Sequence, residues 1–301
     1  MMNNEYHIPV LLKETLEGLA IKPDGIYVDL TFGGGGHSAA ILKFLGDNGK
    51  LVVFDTDNDA FVNLPNDKRI VPIKANFRYF INFLRYEGLL PVDGILADLG
   101  VSSYQFDQAD KGFTYREDAP LDMRMNKEAD FSAYDVINGY SLDELKAVLN
   151  RYGEIYRPAY VISAAIVEYR KRKPVKTTGE LVEIVNKAVS GRATPGFLSQ
   201  LFQAIRIEVN DEMEALKEML SKTPFALKKG GRLAVIAYHS LEDKIVKYFM
   251  KYGTFDKPEY GNTTKSDFFR LVNKKVIKAS KEEVEKNRRS RSAKLRIAER
   301  I

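Results

Sequence analysis

The chain has 301 residues, 45% of them hydrophobic, with 46 Lys plus Arg against 41 Asp plus Glu and a net charge of +5. That is an ordinary globular balance, enough for one large domain or two of usual size, and its mild positive charge permits a polyanionic partner without requiring one. It has no cysteine, and its three histidines, His7, His37 and His239, are not at ligand spacing, which excludes disulfides and a cysteine nucleophile and argues against a metal site.

Met1 to Glu14 lacks the basic-then-apolar layout of a signal peptide, and no apolar run approaches the roughly 20 residues that a membrane helix needs. A cytoplasmic protein with no membrane partner is expected. In chain order, Gly25 to Asp29 reads as a strand and Ser38 to Leu45 as a helix. Lys50 to Asp55, Ile70 to Lys74 and Asp93 to Asp98 read as further strands. Apolar strands separated by helices predict an α/β protein with a parallel, doubly wound sheet.

From about Phe106 to Thr194 the β-rich runs stop. Ser141-Leu142-Asp143-Glu144 is a capping box opening a helix to Tyr152, and Thr177 to Glu180 opens another. One helix is expected from Leu198 to Leu220, and strand character returns at Gly230 to Tyr238. From Ser280 the sequence predicts a capped helix ending in a basic run of Arg288, Arg289, Arg291, Lys294, Arg296 and Arg300. The sheet is thus expected to be interrupted by a helical insertion and then resumed.

The most informative stretch is Asp29-Leu30-Thr31-Phe32-Gly33-Gly34-Gly35-Gly36-His37-Ser38, between a strand and a helix. Gly33, Gly35 and Ser38 occupy the positions of a G-x-G-x-x-G turn, where a ligand can lie against bare backbone. Asp55 ends the next strand, 22 residues after Gly33, where a carboxylate can accept both ribose hydroxyls of an adenosine. Nicotinamide enzymes share that feature. Asp29, just before the glycines, is more typical of methyltransferases, and it can hold the loop or meet the ammonium of a methionine. Lys228 to Leu233 resembles a turn late in methyltransferase domains. Together these favour S-adenosylmethionine over a nicotinamide dinucleotide. Asp98 lies beyond the carboxyl end of the fourth strand, where ligands bind in open α/β sheets, with Ser102 and Ser103 as weaker candidates.

The sequence also resembles the bacterial RsmH (MraW) family, methyltransferases of N4 of a cytidine in small-subunit ribosomal RNA. The matching blocks are His7 to Glu14, Thr31 to Ser38, Asp93 to Gln105, Gly112-Phe113, Pro120 to Met125, Phe202 to Asn210, Gly230 to Asp243 and Ser290 to Arg296. The resemblance implies a Rossmann-like methyltransferase sheet with an inserted helical domain, using S-adenosyl-L-methionine and no metal. Domain boundaries are expected at 1–105 for the first part of the sheet domain, 106–197 for the substrate-recognition insertion, and 198–301 for the second part with a basic C-terminal tail. The family's cofactor positions fall on Gly35, Gly36, His37, Asp55, Phe77, Asp98 and Gln105. Its target is a cytidine of 16S rRNA near the decoding centre, within the small ribosomal subunit. The oligomeric state stays open, a dimer included.

The chain departs from the family in three places. After Tyr152-Gly153-Glu154 it reads Ile155-Tyr156-Arg157-Pro158 where an acid and basic residues are usual. Thr194 to Leu201 replaces a His-Pro-Ala-Thr-Arg-Thr run, and Arg288 stands where proline is common. No catalytic base is assigned: Asp98 can serve either the cofactor or the target amine. Arg124 is expected to help place the target base or to pair with Asp122. Two other functions compete, a nicotinamide-dependent oxidoreductase and a non-catalytic RNA-binding protein using the basic tail.

Overall fold

The computed structural model describes residues 9–100, 109–259 and 265–301. The chain forms two compact units: Met1–Gly100 with Glu214–Ile301, and Val101–Met213. In the first unit the strands are β1 (Ile26–Asp29), β2 (Lys50–Asp55), β3 (Ile70–Lys74), β4 (Val92–Asp98), β5 (Leu227–Ala237), β6 (Phe269–Leu271) and β7 (Lys294–Arg300). They make one sheet in the order β3-β2-β1-β4-β5-β7-β6. β1 to β5 are parallel, and β7 runs antiparallel to both β5 and β6.

Alternate residues of β1, β2, β4 and β5 are buried on opposite faces of the sheet. Val28, Val52, Phe54, Ile95 and Val235 join one core, and Tyr27, Leu51, Val53, Leu96 and Ile236 join the other. Strands covered on both sides read as continuous apolar runs, which is why the parallel strands stand out in the sequence. Helices α1 (Leu12–Leu19) and α2 (Gly36–Leu42) contribute to the second core. Helix α3 (Phe80–Tyr86) contributes to the first. Because β1 leads outward to β2 and β3 while β4 and β5 lie on its other side, the order reverses between β1 and β4. Ligands of open α/β sheets bind beyond the strands' carboxyl ends at such a point.

The second unit is helical: α4 (Ala133–Gly139), α5 (Leu142–Gly153), α6 (Ala159–Arg170), α7 (Thr178–Ala188) and α8 (Pro195–Asn210). The capping box at Ser141 forms as expected: the Ser141 hydroxyl accepts from the Glu144 N–H, and the Glu144 carboxylate accepts from the Ser141 N–H. The helix expected from Leu198 to Leu220 is in fact two, α8 and α9 (Glu212–Ala226). Asp211 between them is left-handed, with φ 49°, which ends the α-helical hydrogen-bond ladder even though the apolar pattern runs on. Leu198, Leu201, Phe202 and Ile205 of α8 pack in the helical core, so this unit runs to Met213 rather than ending at residue 197.

Arg124 is tied within this unit. Its Nε and Nη2 donate to the two oxygens of Asp122 at 2.8 and 2.7 Å, and Nη1 donates to the Ala129 carbonyl. Of the two roles left open by the sequence, the pairing with Asp122 is the one formed. A half-exposed bidentate pair of this kind is worth about 1–2 kcal/mol. Arg124→Gln is therefore expected to lower the melting temperature by a few degrees, read by circular dichroism; an unchanged melt would show that the pair holds nothing.

The C-terminal segment differs from the expected basic helix. Only α11 (Lys281–Lys286) is α-helical, following α10 (Ser240–Tyr252); a 3-10 turn covers Arg288–Ser292, and the rest is β7, inside the sheet. Its charges are neutralised locally. Arg296 donates to Asp243 at 2.7 Å, Lys294 lies 3.7 Å from the same carboxylate, and Glu299 pairs with Arg232 at 2.8 Å. Arg288 and Arg291 are exposed and, among the described residues, have no ion-pair partner. No helix among the described residues is long and apolar enough to cross a membrane.

Candidate functional site

Beyond β1 the chain threads between its two neighbours: the Leu30 N–H donates to the Leu96 carbonyl and the Phe32 N–H to that of Phe54. It then turns through the glycines into α2. Gly35 is the N-cap of α2 with φ 74°, and a β-carbon there would lie 2.8 Å from the Phe32 ring. Only glycine suits that position on both counts. Gly36 is closely covered, since a β-carbon on it would come 2.4 Å from Pro9. Gly34 is different: it is exposed, and a β-carbon on it would meet nothing within 4 Å among the described residues. The loop thus presents bare backbone to open space at Gly34.

Asp29 is buried and holds this loop at both ends. The Ser38 hydroxyl donates to Oδ2 at 2.6 Å, and the Thr31 N–H donates to Oδ1 at 3.1 Å. Burial raises its pKa, against the lowering effect of those bonds. Of the two roles left open for Asp29, holding the loop is the one its contacts perform. Asp55 ends β2 and receives the Gly33 N–H on Oδ2 and the Asp57 N–H on Oδ1, both at 2.9 Å. Burial raises its pKa too, opposed by these backbone donors. A carboxylate has about four lone-pair sites, so after two N–H bonds Asp55 can still accept two hydroxyls.

Asp98 ends β4, and its N–H donates to the Thr31 hydroxyl at 2.7 Å, tying β4 to the loop. The Tyr238 hydroxyl donates to Oδ1 at 2.8 Å, and His37 Nδ1 lies 3.6 Å from Oδ2. Burial pushes the Asp98 carboxyl up to about 6, with Asp29 and Glu242 adding repulsion and His37 and Tyr238 opposing. The other His37 ring nitrogen, Nε2, is 3.0 Å from the Val10 carbonyl. His37 therefore turns its buried ring toward the protein and braces the end of β4 against the N-terminal segment.

Tyr238 does not stand out from the sequence alone. It follows β5 directly, its N–H fixed by Glu242 at 2.8 Å, and burial followed by the Asp98 charge raises its hydroxyl pKa. The signal available was its place at the end of a strand flanking β4. Nor does spacing along the chain disclose the aromatic stack of Phe32 and Phe61, whose ring centroids lie 5.6 Å apart beside the glycine loop.

Gly35, Gly36, His37, Asp55 and Asp98 thus come together at the carboxyl ends of β1, β2 and β4. Phe77 opens a 3-10 turn after β3, half-buried against the core on the α3 side. Gln105, with Ser102 and Ser103, lies outside the described residues. Bare backbone at Gly34, an acceptor at Asp55 and an ionisable carboxylate at Asp98 suit a ligand with vicinal hydroxyls and a positive centre.

Comparison with known proteins bears on what that ligand is. The sequence pattern of the MraW methylase family matches residues 4–301. A protein named ribosomal RNA small subunit methyltransferase H from Parabacteroides distasonis is 52% identical, with 98% of each chain covered. One of the same name from Flavobacterium johnsoniae is also 52% identical, covering 99% of this chain and 98% of its own. Another, from Christiangramia forsetii, is 49% identical with both chains fully covered. The chain belongs to the MraW methylase family, enzymes that take their methyl group from S-adenosylmethionine.

Proposed function

We propose that the protein transfers the methyl group of S-adenosylmethionine to the exocyclic N4 amine of a cytidine in 16S ribosomal RNA, near the decoding centre. The small ribosomal subunit is then its partner, and the cytoplasm, where ribosomes assemble, its place of work. The observation that carries the reading is the cluster of Asp55, Asp98 and the glycine loop at the sheet's switch point. It is supported by the ribosomal RNA named as the substrate of relatives matched over nearly their whole length.

In this reading Asp55 accepts the ribose hydroxyls, and backbone of Gly34 to Gly36 lies against the cofactor. Asp98, held by Tyr238 and His37, faces its positive charge, while Phe77 and Gln105 are added by resemblance alone. When bound, the sulfonium supplies an electrophilic methyl whose transfer leaves a neutral thioether. The protein's task is to align a poorly nucleophilic amine with that methyl and to let its proton leave. Proximity and orientation can supply most of the rate. No side chain is assigned as the base.

The sheet weighs against a nicotinamide enzyme: a dinucleotide fold continues past its fifth strand with a parallel sixth, whereas here antiparallel β7 takes that place. The test is transfer of tritiated methyl to small subunits from a strain lacking the endogenous enzyme, followed by mapping of the label. Label on N4 of one cytidine is expected. Label on another atom or RNA overturns the reading. No label, together with no S-adenosylmethionine retained in equilibrium dialysis, would favour a pure RNA binder.

If the 3-10 turn meets phosphate, its two unpaired arginines are the groups that do so. The double change Arg288→Gln, Arg291→Gln is expected to leave S-adenosylmethionine affinity unchanged. The slope of log RNA affinity against log salt should fall by roughly 0.7–0.9 for each phosphate no longer neutralised. Identical slopes in a salt titration would remove the turn from the RNA surface.

A further inference from the structure

The segment that joins α5 to α6 departs from the family pattern and is built as an exposed aromatic and cationic surface. Tyr156 is 68% exposed, Tyr160 is 57% exposed, and Val161 beside them is 48% exposed. Neither tyrosine hydroxyl has a hydrogen-bond partner among the described residues. Arg157, between the two rings in sequence, is exposed and has no ion-pair or hydrogen-bond partner among them either. Two exposed rings with an exposed aliphatic side chain, set close in sequence, make a surface of the kind that marks an interaction site.

The segment is also held firmly. Ile155 before it and Ala159 after it are both buried in the helical core. The Ile155 N–H donates to the Leu149 carbonyl at 3.1 Å, and the Ile162 N–H donates to the Pro158 carbonyl at 3.0 Å. Pro158 is the N-cap of α6, so the backbone between the rings has little freedom to lose when a partner binds. Charge points the same way. The first turn of α6 holds no acidic residue, whereas α5 has Asp143 and Glu144 there and α7 has Glu180. Arg157 therefore adds to the positive end of an uncompensated helix dipole.

We infer that Tyr156, Arg157 and Tyr160 form a stacking platform for a single-stranded segment of the RNA substrate. The rings stack on unpaired bases, which every base permits, and Arg157 with the start of α6 meets the phosphates between them. A protein partner would pair an acid with Arg157 and bury Val161, and equal RNA binding by the wild type and the alanine pair below is the result that would favour it. A duplex would hide its base faces from the rings. The inference rests on the reading of RNA as substrate.

The probe is a short fluorescein-labelled single-stranded RNA, with the same sequence closed in a hairpin duplex as comparator, read by anisotropy without methyl transfer. The wild type is expected to prefer the single strand. Tyr156→Ala with Tyr160→Ala should weaken single-strand binding by about tenfold or more and abolish the preference. Tyr156→Phe with Tyr160→Phe should restore it, because stacking needs the ring and not the hydroxyl. Arg157→Gln should make the salt slope shallower while the preference persists. For subunit methylation the alanine pair should raise KM with little change in kcat, at unchanged S-adenosylmethionine affinity and melting temperature.

Equal binding by wild type and alanine pair overturns the platform, as does equal affinity of the wild type for duplex and single strand. So does a wild-type oligomer that the alanine pair converts to monomer with RNA binding intact, which would make the patch a contact between copies. Failure of methyl transfer by the wild type would count against the proposed function and leave the anisotropy result to judge the platform separately.

Discussion

Asp55→Ala is expected to weaken S-adenosylmethionine binding by roughly 30- to 150-fold while the sheet stays folded. The carboxylate has two tasks at the end of β2. Each oxygen already takes one backbone N–H, from Gly33 and from Asp57, and each keeps a lone pair for a ribose hydroxyl. Losing a charge-assisted pair of hydrogen bonds costs about 2–3 kcal/mol, which gives the stated range. The variant also frees the Gly33 N–H, which loosens the loop. Asp55→Asn separates the two effects. It keeps one acceptor oxygen, so it can hold one backbone donor, but it cannot accept two N–H groups and two hydroxyls together. Binding intermediate between wild type and alanine is the expected calorimetric result. Unchanged affinity in Asp55→Ala would remove the ribose from this carboxylate.

How far the sequence discloses the fold depends on what each element buries. β2 is legible to the residue because a strand packed on both faces carries an uninterrupted apolar run; β3, an edge strand with only Ile73 buried, is legible from its β-branched residues. β7 carries Lys294, Arg296, Glu299 and Arg300 within seven residues and resembles a basic tail. What makes it a strand is long-range: Asp243 and Arg232 supply the counter-charges, and neither is near it in sequence. The break at Asp211 is hidden for another reason. A non-glycine residue in a left-handed conformation leaves no mark on apolar periodicity.

The site divides in the same way. Asp55 and Asp98 are legible because each ends an apolar strand, and strand ends are where such sheets bind. The direction of His37 is not, since it depends on Val10 and on the neighbouring end of β4. Tyr238 is invisible until β5 is known to lie beside β4, for only then does its hydroxyl reach Asp98. Spacing along the chain names candidates; strand order decides which of them touch.

Asp98→Asn is expected to move stability and cofactor affinity in opposite directions. Its carboxyl titrates near 6 in the folded protein against about 3.9 when unfolded, so the folded state holds this proton more tightly. The wild type therefore loses stability as pH rises from about 4 to 6, and the loss persists above that window. Asparagine keeps an oxygen for the Tyr238 hydroxyl and has no charge to bury. The variant should thus match the wild type near pH 4 and exceed it at pH 7.5, by about 1–2 kcal/mol once the side chain's 23% exposure is allowed for. If the ionised carboxylate faces the cofactor's positive charge, affinity at pH 7.5 should fall by roughly 10- to 150-fold, the loss of one charged hydrogen-bonding partner at about 1.5–3 kcal/mol. Wild-type affinity should then decline as pH falls through about 6, and the variant's should not. Calorimetry across that range, beside single-turnover methylation, distinguishes the two roles the sequence leaves open. Weak binding with normal turnover at saturation assigns Asp98 to the cofactor. Normal binding with slow turnover assigns it to the target amine, and a variant no more stable than wild type at pH 7.5 would show that the buried charge carries no cost.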